Sequence, residues 1–501
     1  MSAPLLLAGV RLVGADATAS EPADVLLRQG RIARIGRALD ADGARRVELD
    51  GRFLAPGMRD GHVHFDQWAA LSRRLDVSAA TSAAHAARLV RDRIDAGWPA
   101  GEVLVGSGFR DALWADEPSA ELLEFGGIPV ALISGDVHTV WANRALLARM
   151  GVTSADGVIR EQDAFDLGQR LQAADEATRD AWATDAAAAA ARRGVTGIVD
   201  LEMTGAVETW GRRMAAGARS LRVIACVYPE GLDRVRATGL RTGEELPGSH
   251  GLATVGWFKL FTDGALNSLT AWCDDPYPSD GVLGGAIDAL HGLPSYSDAD
   301  LLAAARDALA AGIVPTIHAI GDRAVTQALD TFEALGIPAE APARGRIEHV
   351  QLVRREDLPR FAHLDVTASV QPEHAMDDRD VADHHWEGRT DRSFAYRALL
   401  DAGARLEFGS DAPVAPLDPW ATIAAAVTRS RDGREPWHPE QAVPLAAALR
   451  ASWGGSGGVV AGADADLVVL DADPHAVSPE GLRTMPVHAT LVAGEPTGSL
   501  G

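Results

Sequence analysis

Residues 61–66 run Gly61-His62-Val63-His64-Phe65-Asp66. In a β-strand, side chains two residues apart point to the same face. Two imidazoles so placed can converge on one cation at about 2.0–2.1 Å. Taken alone, the pair reads more readily as two ordinary histidines.

The rest of the chain changes that balance. Apolar, strand-length runs occur at Gly197–Leu201, Leu221–Tyr228, Val255–Phe261, Ile313–Ala319, Arg346–Gln351, Val366–Val370 and Leu406–Phe408. With the run ending at His64 they make eight, and helical patterns lie between several of them. One helix is expected from Ser297, an N-cap with Asp300 at N3, to Gly312; another runs from Arg323 to Leu335 before Gly336. The expected fold is α/β, a (β/α)8 TIM-like barrel. His318, His349 and Asp411 each follow an apolar strand directly, where such a barrel presents its active site. Neutral imidazoles and a carboxylate suit Zn2+, and Mn2+, Fe2+ and Co2+ are also compatible.

Both ends of the chain are β-like. Val25-Leu26-Leu27, Arg31–Ile35 and Val47-Glu48-Leu49 at one end match Asp466–Leu470 and Ala489–Gly494 at the other. The expected organisation is a composite β-sandwich domain from 1–56 and 456–501, around a barrel spanning 57–455. An insertion at about 65–193, with helices at Ser82–Ala96 and Asn143–Met150, interrupts the barrel and is placed to shape a substrate pocket.

Bulk properties narrow the function. The 501 residues are 47% hydrophobic with a formal charge of −23. That acidity argues against nucleic acid as a partner. No run reaches the roughly 18 apolar residues of a membrane span, and Met1–Gly14 lacks the pattern of a signal peptide. Only Cys226 and Cys273 are present, so no disulfide framework is expected and a cytoplasmic setting fits. A small-molecule substrate is the expected partner, with a homodimer as the default assembly.

Lys259 sits in the apolar run Gly256–Phe261. A charged, unpaired ammonium is costly there. Either its stem snorkels and the amine pairs with Asp263, or carbon dioxide has converted it to an anionic carbamate able to bridge two metals. The sequence leaves both open.

The ordered set H-x-H, Lys, His, His, Asp resembles the amidohydrolase superfamily. The likeness spans nearly the whole chain, from Leu54-Ala55-Pro56-Gly57-Met58 to Gly462–Asp471. Within it, the chain resembles the branch of N-substituted formamide deformylase (amidohydrolase family 3). The shared marks are Lys259-x-Phe261-x-Asp263-Gly264, Thr270-Ala271, His318-x-Ile320-Gly321-Asp322-Arg323-Ala324, Glu348-His349, Gly409–Val414 and Gly135–Asn143. Leu269 departs from it, where branch members often carry arginine.

The resemblance implies metal ligands at His62, His64, Lys259, His318, His349 and Asp411. One or two divalent ions, Zn2+ foremost, would be held there, with Lys259 N-carboxylated if two. It implies hydrolysis of non-peptide carbon–nitrogen bonds (amide, formamide or cyclic amide) by activated water, with Asp411 as proton carrier. A deaminase or an ester or lactone hydrolase on the same site is the alternative. His138 is either a partner for the substrate carbonyl or a loop-packing histidine. Trp114, Trp141 and Trp272 are candidate pocket walls, although tryptophan lies more often in a core. Asp322-Arg323 reads as a structural ion pair or as support for His318.

Overall fold

The computed structural model describes residues 3–500 apart from Ser20, Asp42, Ala100, 112–113, 135–138, Ala173, Thr204, 279–289 and Ala339. His138 therefore lies outside the described residues. The chain divides into two compact units, Met1–Phe65 with Thr184–Gly501, and Asp66–Ala183.

The first unit contains the barrel. Its strands are β1 (Met58–Val63), β2 (Val195–Asp200), β3 (Arg222–Val227), β4 (Ala253–Phe261), β5 (Pro315–Ala319), β6 (Arg346–His349), β7 (Thr367–Val370) and β8 (Arg405–Phe408). They form one parallel sheet in sequence order. Strands β2, β5 and β6 are buried at every residue. Parallel strands covered on both faces read as continuous apolar runs, which is why they were legible as such.

The expected helices hold to within a residue or two. Ser297 caps Asp298–Ala310, its hydroxyl accepting from the Asp300 amide at 3.2 Å. Asp322–Leu335 ends at Gly336 in the left-handed conformation, φ 56°.

Closure of the barrel falls at β1 and β8. The Asp411 amide donates to the His62 carbonyl at 2.7 Å, and the His64 amide donates to the Ala412 carbonyl at 2.9 Å. Glycines permit this approach. A Cβ on Gly409 would lie 2.5 Å from the His62 nitrogen, and one on Gly61 would lie 2.9 Å from the Phe408 carbonyl. The backbone contacts that close the barrel also bring His62, His64 and Asp411 together.

Both termini build a separate eight-stranded sheet. Phe53–Pro56 joins them, running antiparallel to Leu467–Leu470 and parallel to the end of Leu5–Leu12. Leu7, Val25, Leu54, Leu467, Val469 and Leu491 form its core.

The second unit has a five-stranded sheet ordered Val158–Arg160, Thr139–Ala142, Val130–Ser134, Leu104–Phe109, Leu75–Asp76. This sheet has no counterpart in the sequence-based expectation. The two expected helices are present, Ala83–Asp95 capped by Ser82 and Arg144–Met150 capped by Asn143. Among the described residues, no helix is long and apolar enough to cross a membrane.

Candidate metal centre

His62, His349 and Asp411 are all buried, and one ligand atom from each lies within 4.8 Å of the others. His62 is on β1, His349 ends β6 and Asp411 follows β8. His64 joins them through Asp411, whose Oδ1 is 3.4 Å from Nε2 of both His62 and His64. The His318 ring sits 4.5 Å from that of His349. Its Nε2 faces the Gly264 carbonyl at 3.0 Å and Asp263 Oδ1 at 3.4 Å.

Each inner imidazole has one nitrogen already engaged. His62 Nδ1 lies 2.8 Å from Glu348 Oε2, and His349 Nδ1 lies 2.9 Å from Gln371 Oε1. Both carboxylate and amide oxygens accept, so Nδ1 carries the proton and Nε2 keeps its lone pair. Burial lowers the His62 pKa to about 4 and holds His349 well below its ordinary value, so both rings are neutral. Burial alone would raise the Asp411 carboxyl. As pH falls and the surrounding rings take up protons, the charge on His62, His349 and His374, with the hydrogen bond from His64, outweighs burial and holds Asp411 well below the usual carboxylate range. Two neutral imidazoles and an ionised carboxylate are a donor set that suits a divalent cation.

A buried ionic network supports this cluster. Arg346 is 1% exposed. It donates to Glu348 Oε1 at 3.0 Å, Glu407 Oε2 at 2.6 Å, and the Gly61 carbonyl and Ser369 hydroxyl at 2.7 Å each. Burial would raise Glu348, but Arg346 and His62 prevail and keep it well below its ordinary value. Asp60 accepts from the His62 amide at 3.0 Å and from the Ser410 amide at 2.9 Å, linking β1 to the segment after β8. His349 and Asp411 both have positive φ, 76° and 55°. Such backbone costs of order 1–3 kcal/mol per residue and persists where its surroundings enforce it.

Lys259 is 1% exposed, and burial lowers its pKa. Among the described residues no carboxylate forms an ion pair with it, and its amine lies 5.1 Å from the Phe261 ring centroid. The pairing with Asp263 is not found. That carboxylate instead accepts the amide hydrogens of Ile320, Gly321 and Trp272 at 3.0, 2.8 and 2.9 Å. Asp322 and Arg323 also do not pair through their side chains: Asp322 holds Arg392 at 2.6 Å, and Arg323 holds Asp274 at 3.0 Å.

The tryptophans separate. Trp141 is fully buried in the second unit's own core, its indole N–H donating to the Ser119 carbonyl at 2.8 Å. It is a core residue, not a pocket wall. Trp114 packs on the same cluster. Trp272 belongs to the barrel unit and faces the Arg323 guanidinium at 5.9 Å.

Sequence reasoning missed two neighbours of the centre. His374, in the short helix after β7, places Nε2 3.8 Å from Asp411 Oδ2. That nitrogen and His64 Nδ1 are buried without a hydrogen-bond partner among the described residues. The strand-end rule that found His318 also applies to the end of β7 and would have found Gln371, though not His374, which lies in the following helix. A cavity of 670 Å3 opens beside Lys259, with Glu202, Met203, Tyr228, Phe261 and Tyr296 on its walls.

The chain belongs to the amidohydrolase family, whose model matches residues 45–497. It is 27% identical to the Bacillus subtilis protein YtcJ, over 94% of each chain. It is also 27% identical to N-substituted formamide deformylase of Arthrobacter pascens, over 99% of this chain and 98% of that one. A structure of an uncharacterized metal-dependent hydrolase from Pyrococcus horikoshii superposes with a TM-score of 0.76 at 24% identity, covering 95% of this chain and 99% of the other, and so shares the fold.

Proposed function

We propose that this amidohydrolase cleaves non-peptide carbon–nitrogen bonds in small molecules: amides, formamides or cyclic amides. A divalent cation, Zn2+ foremost, would be held by His62, His64, His349 and Asp411, with His318 beside them. The carrying observation is the buried His62–His349–Asp411 cluster with ligand atoms within 4.8 Å. The likeness to N-substituted formamide deformylase supports the bond class.

Such a cation, when bound, acidifies water and polarises a carbonyl. The chain's residues do the rest. Asp411, held ionised, takes the proton of the attacking water and passes it to the leaving amine. Glu348 and Gln371 fix the tautomers of His62 and His349. His374 Nε2 is a further buried group facing Asp411. The cavity beside Lys259 takes the substrate, with Tyr228, Phe261 and Tyr296 as apolar walls and Trp272 as a further candidate. Lys259, if neutral, would add carbon dioxide at Nζ with loss of one proton, giving the anion that a second cation position needs. Two free buried cysteines suit a reducing compartment, and we place the enzyme in the cytoplasm.

Metal-depleted protein assayed on amides, formamides, lactams and ureas, before and after metal is restored, tests the reading. Metal-dependent turnover on one of these classes is the expected result. No turnover on the panel, nor on esters, contradicts it. Ammonia release from amidines, or acid release from lactones alone, would move the assignment to the alternative chemistry.

A further inference from the structure

A second cavity, of 390 Å3, lies wholly within the Asp66–Ala183 unit, lined in part by Arg73, Arg74, Arg149, Trp98 and Trp182. It shares no lining residue with the cavity beside Lys259. Its volume suits a small ligand.

Its charges are unbalanced. Arg73 lies over the Trp182 ring at 5.6 Å and pairs with Glu102 at 2.9 Å. Asp175, the other carboxylate on the wall, accepts from the Thr178 amide at 2.8 Å. Arg149 donates to the Gly101 carbonyl at 2.7 Å and has no ion pair among the described residues. Arg74 also has no ion pair among the described residues, although it is partly buried. Burial alone lowers its pKa, with no carboxylate acting against it.

A partly desolvated guanidinium without a counter-charge carries an uncompensated cost. Such an arginine, here Arg74, with the exposed Arg149 beside it on the same wall, most readily receives a carboxylate or phosphate through paired N–H donors. The tryptophans decide between an inorganic and an organic anion. Their flat apolar bodies offer surface to a ligand with an aromatic or apolar part and nothing to a hydrated ion. Trp98 is held in place by its indole N–H, which donates to the Glu102 carbonyl at 3.2 Å. We propose that this pocket is a binding site for a small organic carboxylate with an aromatic body, its carboxylate on Arg74 and Arg149 and its ring against the tryptophans.

Isothermal titration of the full chain with sodium benzoate tests the site, with sodium phosphate and benzyl alcohol as comparison probes at matched ionic strength. Benzoate is expected to bind. Arg74→Gln and Arg149→Gln should each weaken it about tenfold, and Trp182→Ala should weaken it while leaving the arginines in place. Three independent variants guard against one that fails to fold, each checked by its melting temperature. Benzyl alcohol should give no saturable heat, and phosphate should bind at least about tenfold more weakly than benzoate. The proposal is overturned if benzoate does not bind. It is also overturned if binding persists in the folded arginine variants, is lost in Asp411→Asn, or is matched by phosphate.

Discussion

His62 Nδ1 and Glu348 Oε2 lie 2.8 Å apart, both buried, and this contact joins the candidate metal centre to the ionic core of the barrel. Glu348 accepts from His62 with one oxygen and from Arg346 and Thr316 with the other. One carboxylate therefore fixes a ring's tautomer and neutralises a buried guanidinium.

Glu348→Ala should accordingly damage two properties at once. Loss of the acceptor on a ligating histidine typically costs about 10–100-fold in metal affinity. Leaving Arg346 with one fewer buried counter-charge should destabilise the fold by about 3–5 kcal/mol. Metal content after equilibrium dialysis and a denaturant titration read the two effects separately. Unchanged metal affinity in a folded variant would contradict the role given to this contact.

Asp411→Asn keeps the size of the side chain and removes its charge. Turnover on whichever amide proves active should fall by at least about 100-fold, the usual scale of a general acid–base contribution. The circular dichroism spectrum should remain that of the parent. A folded variant with undiminished kcat would remove Asp411 as the proton carrier.

The seam between β1 and β8 predicts an effect from one methyl group. In Gly409→Ala the new Cβ would meet the His62 backbone at 2.5 Å, so the strands must part. Overpacking of this kind costs about 1–3 kcal/mol, and here it would also displace His62 from Asp411. Lower stability together with weaker metal binding is the expected pair of results. A melting temperature equal to the parent's would show that the seam yields without cost.

The thiols give a pH-dependent test of burial, Cys226 on the wall of the cavity beside Lys259 and Cys273 elsewhere in the barrel unit. Burial pushes both Cys226 and Cys273 up to about 12 from an ordinary 9.0. A raised thiol pKa favours the protonated form, so the native protein should resist alkylation at pH 8. In denaturant the ordinary pKa returns, about one thiol in ten ionises at that pH, and both should react. Mass spectrometry of iodoacetamide-treated protein counts them. Rapid modification of the native chain would mean that one of the sites opens.

The sequence exposed the parts of the fold that depend on repetition. Eight apolar runs, the cap at Ser297, the helices placed from Ser82 and from Asn143, and the stop at Gly336 were readable because burial and capping impose local patterns. His318, His349 and Asp411 were readable because each follows such a run. Arg346 was not, since arginine is ordinarily a surface residue and only the tertiary ring of Glu348, Glu407 and Ser369 makes its burial tolerable. His374 stands three residues beyond Gln371 with no ligand spacing to mark it, and only the return of β7 to the barrel mouth brings it to Asp411. The second unit's sheet was hidden by short strands, one of them Leu75–Asp76, and by Gly106 and Gly108 in another. Pairing between distant short segments leaves little periodicity to read.

Anomalous X-ray scattering at the zinc edge, from crystals grown with zinc, tests the metal centre most directly. The prediction is a peak within about 2.0–2.2 Å of Nε2 of His62, Nε2 of His349 and a carboxylate oxygen of Asp411. A zinc-loaded crystal with no peak among these three residues would contradict it.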